Sequence, residues 1–437
     1  MKNKLLLIFL AVIMLSNLSY AQLNKELSDA KYRRSSLHTI LIETESFPEK
    51  ETVISAYNNA EFPNKYNDHN IGEKSINLAN YELTDDDRIE AGINKSKFGK
   101  MGASLMSDLT SGIADSLSAD YPLIINKYFN EKKIANQLVA KWFDRQEDGS
   151  FDMNLISERG QYDATALKAD EAKGSAKGVS LLSDAGEELI DKTFVVVSKL
   201  NYISNEVVAL PIYLALVKSF ENSNPLVKLA GEKAAKKVYE KTREGYSVWT
   251  TSYLYKLKWN DSISAVFYND LWVDKNSLNS NRKEAFDNSN LFELEYIGSE
   301  KSSSLVTFSL KEKRTEEQII ALSTVRNVDA VFAKLQKKYD VFKPKVPLLT
   351  GFPITAKIGM KEGLEEGDKF EVLEQTQDPD TGKTKYVRKG IIKVEKKLLW
   401  DNRFNAFDNS EEISTIDYTT FSGGKDYYPG MLIRQIN

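Results

Sequence analysis

The chain has 437 residues, of which 41% are hydrophobic and 28% are charged, a composition that is ordinary for a folded protein. The formal net charge of −4 provides no overall positive field to attract phosphate backbones, which argues against nucleic acid as the main partner. There is no cysteine, which excludes disulfides, thiol catalysis and lipid attachment at a processed signal.

The first 21 residues have the features of a cleavable export signal. Two lysines precede an apolar run from Leu5 to Leu15, and the small residues Ser19 and Ala21 stand just before a predicted cut at Gln22. The run is shorter than the roughly 20 residues of a membrane-spanning helix, and an uncleaved anchor is the alternative. No such stretch follows, so we predict no transmembrane helix after signal removal. A large exported protein without disulfides suits a bacterial envelope.

The chain length suggests two or three domains. We predict a signal peptide at residues 1–21, an N-terminal segment at 22–97, a mixed α/β body at 98–342 and a small β-barrel domain at 348–437. The boundary before the barrel is the clearest, because Lys343–Pro347 has two prolines in five residues, which is typical of a linker.

A strand and a helix come first in the predicted mature chain. Ser35–Thr44 is rich in β-branched and apolar residues, which predicts a strand, and Ser46–Glu49 has the capping residues of a helix start. Asn58–Asn80 has loop composition, and two helices are predicted between Phe98 and Phe143. Their periodic apolar positions are Leu105, Leu109, Ile113 and Leu117 in the first, and Ile134, Leu138, Val139 and Trp142 in the second.

A mixed sheet is predicted around the middle of the chain. Phe151–Ser157 has the pattern of a short strand, and Asp170–Ile190 has that of a helix. Thr193–Val197 is a continuous β-branched run, typical of a central strand covered on both faces. Gly174 and Gly178 favour close packing of the predicted helix.

The most apolar internal segment runs from Glu206 to Phe220. We predict a buried core helix there, and a helix that dips into a membrane interface is the alternative. Leu226–Arg243 is predicted as a lysine-rich amphipathic helix. Its predicted inward positions are Leu226, Leu229, Val238 and Tyr239.

An aromatic stripe follows with the two-residue period of a β-strand. Asn260-Asp261 supplies a predicted turn, and Ile263–Val273 is the predicted returning strand. A core-facing stripe is the plainer interpretation, and a platform for sugar rings is the alternative. The residues that share this face are Trp249, Thr251, Tyr253, Tyr255, Leu257 and Trp259.

The remaining chain changes from mixed to β structure. Leu291–Ile297 and Ser304–Leu310 are predicted strands, and Thr315–Leu322 and Val328–Tyr339 are predicted helices. Beyond the linker, several short strands joined by Gly and Asp turns predict a small barrel. Those strands are Ile354–Ile358, Phe370–Glu374, Tyr386–Val394, Leu398–Trp400 and Met431–Ile436.

Three features of the barrel region carry a family resemblance. They are a Gly-Leu-x-x-Gly-Asp turn at Gly363–Asp368, a glycine-containing hairpin, and the Gly-x-Ile-x-Val strand Gly390–Val394. With these, Ile358–Arg403 resembles the small β-barrel modules of bacterial envelope proteins, such as the carboxyl-terminal domain of flagellar assembly protein T. Gly430–Arg434 is similar to the last strand of such a module.

A second resemblance covers the chain from Ile134 to Val197, with Glu158 and Arg159 between a strand pattern and a helix pattern. This order is similar to the periplasmic α/β domain of the curli-secretion lipoprotein family, a set of outer-membrane pore and assembly proteins. The family's lipidated cysteine is missing here, and pore-forming hairpins are not evident. Neither resemblance supplies catalytic residues to transfer.

Chemical motifs are scarce. His38 and His69 are the only histidines, in a predicted strand and a polar loop, so we expect satisfied or solvated imidazoles rather than a metal site. The metalloprotease, P-loop, dinucleotide and nucleophile-elbow motifs are absent. Asp378–Gly382 is similar to the start of a calcium loop, but Lys389 stands where a glutamate is required, which favours a hairpin turn. We predict no catalytic, cofactor-binding or metal-binding residues, and no cofactor.

The sequence therefore predicts an α+β fold, a mixed sheet-and-helix body with a small C-terminal β-barrel. The function we predict is that of an exported binding or assembly protein without catalytic activity, in the periplasm or at the outer membrane, with release from the cell as a further alternative. An envelope protein partner is expected, peripheral membrane contact is open, and so is the oligomeric state. The alternative is a secreted hydrolase acting on glycans, which would need a carboxylate pair in a cleft beside Trp259 or Tyr255.

Overall fold

The computed structural model describes residues 33–72, 74–81, 83–84, 120–156, 159, 188–307, 314–378, 384–404 and 416–436. Outside these ranges lie the predicted export signal, the periodic positions from Leu105 to Leu117, and most of the predicted helix at Asp170–Ile190 with Gly174 and Gly178. Within the described ranges, no helix is both long enough and apolar enough to cross a bilayer.

A mixed sheet forms the centre of the body, as predicted, and the structure shows that it has six strands. Its order is β2-β1-β4-β5-β6, with β3 also beside β1. β1 is parallel to β2, β3 and β4, whereas β5 is antiparallel to both β4 and β6. The strands are β1 (Ser36–Ile42), β2 (Asn67–Asp68), β3 (Ser75–Ile76), β4 (Thr193–Ser204), β5 (Gly245–Leu257) and β6 (Leu294–Thr307).

Helices cover both faces of this sheet. The described chain contains the helices α1 (Lys50–Asn58), α2 (Tyr121–Glu131), α3 (Ile134–Trp142), α4 (Asn205–Ser219), α5 (Pro225–Thr242), α6 (Asp261–Val266), α7 (Ser280–Asn288) and α8 (Glu316–Lys338), of which α4 and α5 do not lie on the sheet. Side chains alternate along β4, so Phe194 and Val196 pack with α8, and Val195 and Val197 pack with α2 and α3. Thr193–Val197 is therefore a central strand buried on both faces, which confirms the prediction.

The predicted returning strand at Ile263–Val273 is wrong. The side chain of Asn260 accepts hydrogen bonds from the backbone N–H groups of Ser262 and Ile263, which starts α6 instead of closing a hairpin. α6 continues into a π-helical turn, Phe267–Leu271, and Phe267 is fully buried among aromatic rings. The antiparallel neighbours of β5 are β4 and β6, so no edge remained for a further strand.

Other predicted boundaries also change. The two predicted helices between Thr315 and Tyr339 are one helix, α8. The buried hydroxyls of Ser323 and Thr324 both donate to the carbonyl of Ile320 within this helix, so these polar residues do not interrupt the helix. The predicted strands before it join into the single strand β6 as far as it is described. Two predicted strands, Phe151–Ser157 and Leu398–Trp400, are not strands in their described residues.

The C-terminal region is a small β-barrel, as predicted. The structure shows that it is closed and has six antiparallel strands in the order β10-β11-β8-β7-β12-β9. Its first strand already begins at Val346, which pairs with Ile433, and Lys343 is buried beside Asp340. The predicted linker at Lys343–Pro347 is therefore part of the packed structure. The strands are β7 (Val346–Gly351), β8 (Ile354–Ala356), β9 (Lys369–Gln377), β10 (Thr384–Val394), β11 (Thr419–Ser422) and β12 (Leu432–Ile436).

Polar contacts attach the barrel to the body. The Nζ of Lys65 donates to the carbonyl of Lys357 at 2.5 Å, and Lys361 lies 3.4 Å from the carboxylate of Glu61. On another side, the hydroxyl of Tyr386 donates to Glu188 at 3.3 Å. These contacts hold the barrel against the body at several separate points.

Candidate interaction site: an exposed helical hairpin

Residues 205–244, here called the helical hairpin, leave the sheet and return to it at one place. Ser204 at the end of β4 pairs with Tyr246 at the start of β5. The two helices α4 and α5 therefore form an insertion between neighbouring antiparallel strands. Such an insertion can pack only on itself, on the strand ends, or on a partner.

Asn205 fastens the base of the helical hairpin. Its side chain is 1% exposed, and its Nδ2 donates to the carbonyls of Glu244 at 3.2 Å and Val306 at 2.9 Å. Its Oδ1 accepts from the hydroxyl of Ser247 at 2.9 Å. One amide therefore links the start of α4 to β5 and β6, which fixes where the helical hairpin leaves the sheet.

The inner faces of α4 and α5 pack on each other. The rings of Tyr213 and Tyr239 stack with centroids 4.9 Å apart, and the Tyr239 hydroxyl donates to Glu206 at 3.0 Å. This hydrogen bond raises the pKa of Tyr239. Near the tip, a Cβ on Gly231 would come within 2.7 Å of the Phe220 ring, so only glycine permits this close approach.

The outer faces of both helices expose large apolar side chains. The prediction of a buried core helix at Glu206–Phe220 is wrong, and so is the inward placement of Leu226, Leu229 and Val238; Tyr239 is half-buried against α4. The physical reason is that other helices already cover both faces of the sheet. The exposed apolar residues are Val207, Leu210, Ile212, Leu214, Leu216, Leu226, Val227, Leu229 and Val238, with Leu226 reaching 81%.

Exposed apolar side chains of this kind make the helical hairpin the candidate interaction site of the described chain. Sequence reasoning found the two helices but missed their exposure. The reason for the exposure appears only in the structure, where the segment connects the ends of two strands that are neighbours in the sheet.

The aromatic stripe lies in the core from Tyr253 to Trp259. Tyr253, Tyr255 and Trp259 are buried, and the hydroxyl of Tyr255 donates to the carbonyl of Pro122 at 3.1 Å. Trp259 stacks with Phe292 at 6.2 Å, and Trp249 is half-buried. The core-facing interpretation is confirmed for these three buried rings.

Both histidines are used within the fold. The pairing of β1 with β2 brings His38 and His69 together. The Nε2 of His69 donates to the carbonyl of Leu138 at 2.9 Å, its Nδ1 accepts from Arg159 at 3.1 Å, and its ring stacks on Trp142. Burial lowers the pKa of His38 to about 4 and that of His69 well below its ordinary value.

Metal and calcium sites find no support in the described residues, where no three His, Asp or Glu side chains come close enough to hold an ion. The predicted turn Asp378–Gly382 lies mostly outside the described ranges. Its flanks pair as Gln377 with Thr384 in antiparallel strands, as a hairpin connection requires.

Two clefts differ from the open, acidic groove that a glycan hydrolase needs. A cleft of about 280 Å³ between α2, α3 and the loop before β6 contains one carboxylate, Glu293, which forms an ion pair with Lys258 at 2.7 Å. A second cleft contains Glu61 and Asp329 but has a volume of only about 50 Å³, which is room for water and not for a sugar ring. Neither Trp259 nor Tyr255 lines them.

The barrel also has an exposed aromatic side chain. Phe352 stands between β7 and β8 and is 96% exposed. A Cβ on the preceding Gly351 would collide with the carbonyl of Tyr427 at 1.8 Å, so this turn depends on glycine.

No model of a known protein family matches the chain, and no curated protein matches it in sequence.

Proposed function

We propose that this chain is an exported protein of the cell envelope, periplasmic or associated with the outer membrane, that acts by binding and assembly and not by catalysis. The observation that carries the proposal is the helical hairpin. Its exposed apolar side chains cost free energy in water, at about 25 cal/mol per Å² of apolar surface. A folded protein retains such a surface where a partner covers it.

The barrel supports the same proposal. Its closed form is consistent with the small β-barrel expected from the resemblance to envelope modules such as that of flagellar assembly protein T. Phe352 gives this barrel an aromatic side chain of the kind that fills a pocket on a partner. The barrel is thus a second candidate contact, separate from the helical hairpin.

The buried aromatic stripe supports binding over glycan hydrolysis. A hydrolase of the kind considered would place Trp259 or Tyr255 in an open groove with two carboxylates. Both side chains instead pack in the core, and the larger cleft contains a single carboxylate that is already ion-paired.

Cell fractionation with crosslinking tests the proposal. In the native host, we expect the protein in the envelope fraction, with Gln22 as its first residue and with an envelope protein crosslinked to it. Removing residues from Val346 onward should release it from that partner. Recovery from the cytosol with Met1 intact would contradict the proposal. Fractionation that the truncation leaves unchanged would contradict the part of the barrel in it.

A further inference from the structure

The surface of α4 is apolar on every side that α5 leaves open. No charged residue occurs between Glu206 and Lys218. Successive residues of an α-helix turn by 100°, so the exposed side chains of Val207, Leu210 and Ile212 point in different directions around the axis. The apolar surface therefore surrounds α4 and does not form a single stripe.

This arrangement favours a fluid apolar environment over a protein surface as the partner of α4. A second protein surface, including a second copy of this chain, would cover one side of α4 and leave the others in water. Acyl chains can contact all of them. The charge-free segment 207–217 is about 16 Å long at 1.5 Å per residue, roughly half the thickness of a hydrocarbon core. A segment of this length is too short to cross the bilayer and can contact one leaflet only.

The helix beside it is basic. Residues 205–244 hold seven basic and five acidic side chains, a net charge of +2, in a chain whose net charge is −4. Two of the acids are neutralised within α5, where Glu232 lies 3.9 Å from Lys228 and Glu240 lies 3.8 Å from Lys236. A third, Glu206, accepts a hydrogen bond from the other helix.

Three lysines of α5 remain available to an anionic partner. Lys233, Lys237 and Lys241 are exposed and four residues apart, which places them along one side of the helix. Within the described chain none of the three forms a salt bridge or a hydrogen bond. An apolar helix beside a row of free lysines is the pattern of a helix pair that lies at an anionic membrane surface.

We propose that the helical hairpin docks on an anionic lipid surface, with α4 at the boundary of the acyl chains and Lys233, Lys237 and Lys241 on the head-group phosphates. This names a partner for the site on which the proposed envelope function rests. Asn205 holds the base of the helical hairpin on the sheet, so docking requires no unfolding of the body.

Vesicle sedimentation tests the proposal. Vesicles of phosphatidylglycerol with phosphatidylcholine are compared with vesicles of phosphatidylcholine alone. Both the full chain and the chain from Gln22 are used, because the leading apolar run could bind lipid by itself. We expect binding to the anionic vesicles that weakens with salt, and little binding to the neutral ones.

Two variants separate the apolar and the charged contributions. Leu210→Gln with Leu214→Gln should weaken binding to anionic vesicles about tenfold, from the lost apolar burial. The triple change Lys233→Gln, Lys237→Gln and Lys241→Gln should weaken it about 100-fold, since each lysine contributes about a factor of five near an anionic surface.

Matched controls use equally exposed positions elsewhere. Leu278→Gln with Leu305→Gln replaces two leucines of similar exposure, and Lys275→Gln, Lys396→Gln and Lys425→Gln replace three exposed lysines. Neither control should change vesicle binding. Circular dichroism confirms that every variant is folded before binding is compared.

Several results would overturn the proposal. These are no binding to anionic vesicles, equal binding to neutral vesicles, or an equal loss in the control variants. A dimer in light scattering that the leucine variant dissociates would identify a second copy as the occupant instead. Envelope fractionation without vesicle binding would leave the proposed function standing with a protein partner. Vesicle binding by a protein that is found in the cytosol would support lipid docking and contradict the proposed envelope function.

Discussion

Asp329 on α8 carries a carboxylate in an unfavourable place. Its Oδ2 is buried without a hydrogen-bond partner, in the small cleft that also contains Glu61. Burial raises the pKa of Asp329 from 3.8 to about 6, and Lys361 opposes this only partly, since Glu362 and Glu61 act with the burial. We predict that removing this charge stabilises the protein at neutral pH.

The magnitude follows from the pKa difference. A rise of about two units corresponds to about 3 kcal/mol of destabilisation when the group is ionised, at 1.36 kcal/mol per unit. The side chain is only half-buried by area and an asparagine leaves its own polar atoms in the cleft, so we expect Asp329→Asn to gain about 2 kcal/mol at pH 7. The folded state holds this proton more tightly than the unfolded chain, so its contribution to stability falls as pH rises from about 4 to about 6.

The histidines act in the opposite direction. His38 has a pKa of about 4 in the folded state against 6.5 ordinarily, and the pKa of His69 is lowered as well. The unfolded chain therefore binds these protons more tightly, and stability is lost as pH falls from about 6.5 toward 4. In the wild type, Asp329 offsets part of this loss over the same range.

Urea unfolding between pH 4.5 and pH 7.5 measures both effects. Asp329→Asn should be more stable than the wild type at pH 7, and its stability should fall more steeply below pH 6, because the offset is gone. The exposed Asp270 supplies the control, Asp270→Asn, which should leave both the stability and its pH dependence unchanged. Equal stability of the two variants at pH 7, or a slope in Asp329→Asn that matches the wild type, would refute the reasoning.

Three further predictions concern the interaction surfaces. Asn205→Ala removes three hydrogen bonds at the base of the helical hairpin, including that to Val306, and should cost about 2 kcal/mol in urea unfolding while raising hydrogen exchange in residues 205–244. Gly231→Ala should displace the Phe220 ring and cost about 1–3 kcal/mol, measured by thermal unfolding; an unchanged melting temperature would contradict the close packing. Phe352→Ser should change stability by less than about 0.5 kcal/mol yet abolish crosslinking to an envelope partner, and retained crosslinks would remove the barrel tip from the contact.

Local sequence patterns predicted an element correctly where the run of residues itself requires a particular environment. The β-branched run at Thr193–Val197 can be stable only with both faces covered, so its central position followed from composition. The four apolar positions from Ile134 to Trp142 share a face and are all buried in α3. The Gly and Asp turns beyond Gly363 predicted β9, β10 and β12 in the same way, whereas the predicted strand Leu398–Trp400 is wrong and β11 was missed.

Other elements depended on what the rest of the chain had already occupied. The residues from Ile263 to Val273 alternate well enough for a strand, but Asn260 caps a helix there and the edges of β5 were taken. The segment from Glu206 to Phe220 has the composition of a core helix, and nothing in its own sequence states that the core is full. For the site, sequence reasoning therefore supplied the residues and the structure supplied their exposure.

The geometry of the sheet explains how an apolar helical hairpin can be exposed without exposing the core. β1 pairs with β4 only as far as Lys199, whereas β4 and β5 continue to pair as far as Ser204. The last five residues of β4 thus extend about 17 Å beyond β1, at 3.3 Å per residue. Along this extension Leu200 and Tyr202 still pack on α1 and α8. The helical hairpin begins where that cover ends, so the same strands that complete the core carry α4 and α5 to a position that a membrane or a partner can reach.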